Sequence, residues 1–188
     1  REKLTATLGQ TRYLDTQLVS LPGSLPGTGS DSDYIAEVSI NLSDYWKLDV
    51  DYQWDSDTNK TVRSETSIQF APQEDRYAGF SYRQREGILE QGDVSLVWPV
   101  GDSWRVIGHY SYSFLEKEAL DRFLGWEYEA CCWRLRLVGR RYISRRTGDS
   151  DSSISIQLQL RGFSDDGGRP EELLDRGILG YQRFGNTL

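Results

Sequence analysis

Trp46-Lys47-Leu48-Asp49-Val50-Asp51-Tyr52-Gln53-Trp54-Asp55 is the stretch that decides the fold. Trp46, Leu48, Val50, Tyr52 and Trp54 alternate with Lys47, Asp49, Asp51, Gln53 and Asp55. Successive side chains of a strand point to opposite faces, so this run predicts a strand with one apolar and one charged face. A Trp closes each end of the apolar face, and a spacing of roughly nine residues suits a tilted strand crossing a bilayer.

The same period recurs outward in both directions. Residues 34–42 place Tyr34, Ala36, Val38, Ile40 and Leu42 on one face. Residues 62–70 set Val62, Ser64, Thr66, Ile68 and Phe70 against Arg63, Glu65, Ser67 and Gln69. Further alternating runs fall at 78–84, 94–100, 104–114, 124–130, 133–137 and 154–160, with a weaker one near 4–14. The last run carries Ile154, Ile156, Leu158 and Leu160 against Ser155, Gln157 and Gln159. The pattern predicts an all-β chain of about ten antiparallel strands, a transmembrane β-barrel segment.

Composition agrees. Hydrophobic residues make up 37% and aromatic residues 12%, with 11 Tyr and 6 Trp. Only every second residue of a lipid-facing strand must be apolar, and Tyr and Trp favour the membrane interface. A soluble sandwich is the alternative, but it would bury its apolar face and turn its charges outward. Here charges mark almost every strand, which suits a water-filled or cargo-filled lumen lined by Asp49, Asp51, Arg63, Glu65, Arg83, Glu127, Glu129, Arg134 and Arg136. This wall has two readings, a solvated and mutually paired surface or a contact surface for cargo. The net charge of −7 argues against nucleic acid as a partner.

Short turns are expected near Ser43-Asp44, Pro72-Gln73-Glu74, Gly101-Asp102 and Ala130-Cys131, and longer loops near 15–33, 55–60, 86–92, 115–119 and 145–152. Outer-membrane barrels keep short turns on the periplasmic side, which puts Cys131-Cys132 and the C-terminus there. Strands are expected over 1–163, the last ending near Phe163. A tail over 164–188 follows, with a short helix at 170–177 opened by Pro170 and closed by Gly177. The chain opens on Arg1 with no signal peptide, so it is read as a piece of something longer.

Catalysis has little support. His109 is the single histidine, lies mid-strand on the polar face and has no acidic motif beside it, so the chain is read as non-enzymatic. No metal or cofactor is implied, since zinc would need more Cys or His in range.

The run Leu124-Gly125-Trp126-Glu127-Tyr128-Glu129-Ala130-Cys131-Cys132-Trp133-Arg134-Leu135-Arg136 resembles the vicinal-cysteine segment of the LptD family of lipopolysaccharide-assembly barrels. Ile156-Gln157-Leu158-Gln159-Leu160-Arg161-Gly162-Phe163 resembles that family's final strand, and Leu173-Leu174 with Ile178-Leu179-Gly180-Tyr181 its terminal segment. The resemblance implies a barrel plugged by the lipoprotein LptE and fed by the periplasmic bridge protein LptA through an N-terminal domain. Such a barrel inserts lipopolysaccharide into the outer leaflet of the Gram-negative outer membrane. Ile154, Ile156, Leu158 and Leu160 would then lie on a lateral-gate strand, against the reading of an ordinary closing strand. Cys131 and Cys132 would each bond a cysteine of the N-terminal periplasmic region, against the reading of buried structural thiols. Neighbouring cysteines have poor geometry for bonding each other, and the periplasm is oxidising. A self-contained small porin or adhesin-like barrel is the competing function.

Overall fold

The computed structural model describes residues 2–10, 33–56, 58–73, 75–144 and 148–160. These form ten strands: β1 (Leu4–Gly9), β2 (Tyr34–Asn41), β3 (Trp46–Asp55), β4 (Lys60–Gln73), β5 (Arg76–Arg85), β6 (Leu89–Pro99), β7 (Trp104–Ser113), β8 (Glu118–Glu129), β9 (Trp133–Ile143) and β10 (Ser150–Leu160). They build one sheet in sequence order. Every strand pairs antiparallel with its neighbour in the chain, as expected of a meander joined by hairpins. Among the described residues β1 and β10 each pair on one side only.

The register keeps the period-two pattern coherent across the sheet. Val38, Val50 and Thr66 stand opposite one another, and Glu37, Asp51 and Glu65 stand opposite one another on the other face. One face is therefore apolar and exposed, carrying Phe80, Val94, Leu96, Leu124, Trp126, Leu135 and Leu137. Removing a large apolar side chain from water is worth about 1.5–3 kcal/mol. Leaving this face wet would forgo tens of kcal/mol, more than the roughly 5–15 kcal/mol that holds a globular domain together. The face needs an apolar environment.

Aromatic rings edge that face at both ends. Near the connections 42–45, 100–103 and 130–132, Trp46 packs on Phe70 at 4.5 Å between centroids, and Tyr128 lies 4.8 Å from Trp104 and 5.1 Å from Trp133. At the opposite end, Tyr34 lies 5.8 Å from Trp54, and Phe114 lies 6.0 Å from Tyr82 and 5.2 Å from Tyr112. Along β3 the two belts are separated by about 26 Å of strand at roughly 3.3 Å per residue.

The buried hydrophobic core of the described residues is small and lies on the other, polar face. Tyr77, Val97, Ile107 and Val138 form a row across the sheet, in register with Gly125, and Phe123 packs beside them. Ile107 is fully buried. Gly125 is required in that row, because a Cβ there would lie 3.2 Å from Val138 Cγ2 and 3.4 Å from the Leu137 carbonyl oxygen.

The connections correct the loop lengths read from sequence. The expected loops 86–92 and 115–119 shrink to 86–88 and 114–117. The polar residues taken as loop continue the ladder instead: Gln91, on the polar face, donates to Asp93 at 2.8 Å and to Ser111 at 2.7 Å, and Glu90, on the opposite face, accepts a hydrogen bond from Tyr82 Oη at 2.9 Å. Left-handed backbone then reverses the chain tightly, at Gly87 (φ 66°) and Lys117 (φ 58°). Pro72 and Gln73, read as a turn with Glu74, instead close β4, and Glu74 lies outside the described residues. The run read at 133–137 extends to Ile143. Much of the 15–33 loop, the end of the last strand near Phe163 and the 170–177 helix of the tail fall outside the described residues.

Candidate functional site: a polar face and a vicinal-cysteine hairpin

The strand register puts all of Asp49, Asp51, Arg63, Glu65, Arg83, Glu127, Glu129, Arg134 and Arg136 on the polar face. It gathers them into distinct groups rather than one site. On β2–β4, Ser39 donates to Asp49 at 2.7 Å and Lys47 lies 2.8 Å from it. Arg63 Nη2 contacts Glu65 Oε2 at 2.9 Å, while Asp51 stands directly between Glu37 and Glu65.

In the middle of the sheet Arg83 donates to Asp93 at 2.9 Å, and Gln91 donates to the other carboxylate oxygen at 2.8 Å. Arg140 grips Asp121 with two hydrogen bonds of 3.0 and 2.6 Å, its guanidinium also lying over the Tyr142 ring. His109 Nδ1 lies 3.0 Å from Ser95 Oγ, and its ring stacks on Phe123. All of these but Phe123 line a cleft of about 1040 Å³ on the polar face. Among the described residues no cluster of three His, Cys, Asp or Glu side chains is placed to hold a metal ion.

The most buried group sits at the other end of β7–β9, separated from the cleft by the apolar row. Glu127 is 1% exposed. Its Oε1 accepts from Arg105 Nη1 at 2.8 Å. Its Oε2 accepts from Arg136 Nε at 2.8 Å and lies 2.6 Å from Arg136 Nη2. Arg134 Nη2 reaches Glu129 at 3.2 Å, with its Nε 3.8 Å from Glu127. Among the described residues three guanidiniums thus meet two carboxylates at this end of the sheet. Sequence reasoning missed Arg105, because it is a lone charge between Trp104 and Val106; its height opposite Glu127 was the available signal. Asp93, Asp121 and Arg140 were also missed, because only the strand register brings each to its partner.

Cys131 and Cys132 occupy the tip of the β8–β9 hairpin, closed by the Ala130 amide donating to the Trp133 carbonyl at 3.0 Å. Both side chains are exposed and no disulfide joins them, the sulfurs lying 2.6 Å apart. The hairpin tip is at the same end of the sheet as 42–45 and 100–103. On β10, Ile154 is 79% and Ile156 72% exposed, on the apolar face with Leu158 and Leu160.

The family model described as "LptD: LPS transport system D" matches residues 1–104. The LPS-assembly protein LptD of Nitrosococcus oceani is 36% identical over 180 residues, covering 96% of this chain and 24% of the relative. Those of Thiobacillus denitrificans and Xylella fastidiosa are 33% and 32% identical, covering 96% and 97% of this chain. The chain spans about a quarter of the length of these curated relatives. With more than half of its length matched by that model, and a vicinal-cysteine hairpin in a two-faced antiparallel sheet, the chain belongs to the LptD family.

Proposed function

We propose that these ten strands are part of the outer-membrane barrel of a lipopolysaccharide translocon, lying in lipid with the apolar face outward and the polar face lining the lumen. The carrying observation is the open, two-faced sheet with an aromatic belt at each end, in a chain of the LptD family. The protein takes lipopolysaccharide from a periplasmic bridge, the role of LptA, docked on an N-terminal domain. LptE plugs the barrel. The lipid leaves sideways into the outer leaflet through a gate of which β10 is one strand. The chemistry is binding and passage, with no catalytic step. Residues 164–188 form a periplasmic tail, and Cys131 and Cys132 face the periplasm, where each bonds a cysteine upstream. A self-contained ten-strand porin would pair β1 with β10; each pairs on one side only among the described residues, which favours a larger barrel.

The test is a reducible crosslink in the full-length protein between Ile156→Cys and a cysteine in the first barrel strand. Surface lipopolysaccharide should fall under oxidising conditions and recover on reduction. Unchanged export with the crosslink formed would remove the gate role of β10.

A further inference from the structure

The β8–β9 hairpin is clamped on both faces just below its cysteines. On the polar face Glu127 stands opposite Arg136 and Glu129 opposite Arg134, with Arg105 of β7 completing the buried cluster. On the apolar face Tyr128 is held between Trp104 and Trp133. The carboxylate of Glu127 ties together three strands, three residues before the tip begins at Ala130 and four residues before Cys131.

We propose that Glu127 is a positioning residue for thiol–disulfide exchange at Cys131 and Cys132. The Arg105–Glu127–Arg136 cluster fixes the direction in which the hairpin presents its two sulfurs. This rests on the disulfide role proposed above. Each exchange forms one S–S bond by attack of a cysteine thiolate on an existing disulfide. The displaced sulfur leaves with the electron pair of the broken bond and takes up a proton. Such attack is nearly collinear and tolerates little misalignment, so the neutral amide of Glu127→Gln, which holds neither guanidinium firmly, turns the tip away from its partners. Misplacement of a reacting group by about 1 Å can cost up to about a hundredfold in rate.

The experiment uses the full-length protein, folded, reduced, and reoxidised with oxidised glutathione; disulfides are read by mobility on non-reducing gels and folding by heat-modifiable mobility. Folded Glu127→Gln should enter its disulfides about tenfold more slowly than wild type, and Glu127→Asp by an intermediate factor. Asp49→Asn, which removes a polar-face carboxylate five strands away, should leave the rate unchanged. Wild-type kinetics in folded Glu127→Gln overturn the positioning role and leave the disulfide reading standing. If that variant does not fold, wild-type kinetics in Glu127→Asp do the same. Equal slowing by Asp49→Asn also overturns it, because the effect would then belong to any lost carboxylate. If Cys131→Ser and Cys132→Ser leave the mobility of the oxidised protein unchanged, the disulfide reading itself fails and takes the positioning role with it.

Discussion

The polar face carries charge in two ways. On β2–β4 it is a row of like charges: Glu37, Asp51 and Glu65 stand directly opposite one another, half-exposed, with Arg63 and Lys47 at the margin. On β7–β9 opposite charges stand opposite one another, and the cluster around Glu127 is almost wholly buried. Like charges directly across a ladder destabilise it, whereas opposite charges support it. The first region tolerates its acids because water screens them. The second can exclude water because each buried charge meets a partner, since an unpaired buried ion would cost several kcal/mol. Ion pairing therefore stiffens the sheet near the cysteine hairpin, and the β2–β4 wall stays wet and acidic.

The contrast breaks most visibly at Glu127. Glu127→Ala removes the buried carboxylate that Arg105 and Arg136 share and should lower the unfolding free energy of the full-length protein in micelles by about 3–5 kcal/mol. A loss under about 1 kcal/mol, read from the urea midpoint, would mean that the cluster is wet like the β2–β4 wall. Asp51→Asn probes the wet β2–β4 wall. It relieves the like-charge row and should stabilise by about 0.2–1 kcal/mol. A destabilisation of that size would show that Asp51 is paired.

Much of the fold was legible in the sequence. Alternation survives because each strand has one apolar and one polar face, so Leu48 and Asp49, or Leu135 and Arg136, are assigned to faces by parity alone. What alternation could not show is the apolar row on the polar face. Val97 lies between Leu96 and Trp98, and Ile107 follows Val106, so each is lost inside a continuous apolar run; only their common height across neighbouring strands marks them as a row. Loop lengths were misjudged at 86–92 and 115–119 because polar residues near a hairpin tip look alike whether paired or free. The cysteine tip was placed correctly at a short connection, since Ala130 and Trp133 bracket it with the last ladder positions. The Arg–Glu cluster was half visible: β8 and β9 supply four of its members within one hairpin, while Arg105 arrives from a third strand.

In the proposed barrel the sheet turns its apolar face to lipid and its polar face to water, an arrangement open to direct measurement. It is tested most directly on β3, with single spin labels at 48, 50 and 52 and at 49, 51 and 53 of the full-length protein in bilayers. Dissolved oxygen should relax labels that replace Leu48, Val50 and Tyr52, and a water-soluble nickel chelate those that replace Asp49, Asp51 and Gln53, alternating residue by residue. A reversed alternation, or equal access to the chelate at all six positions, would overturn this placing of the two faces.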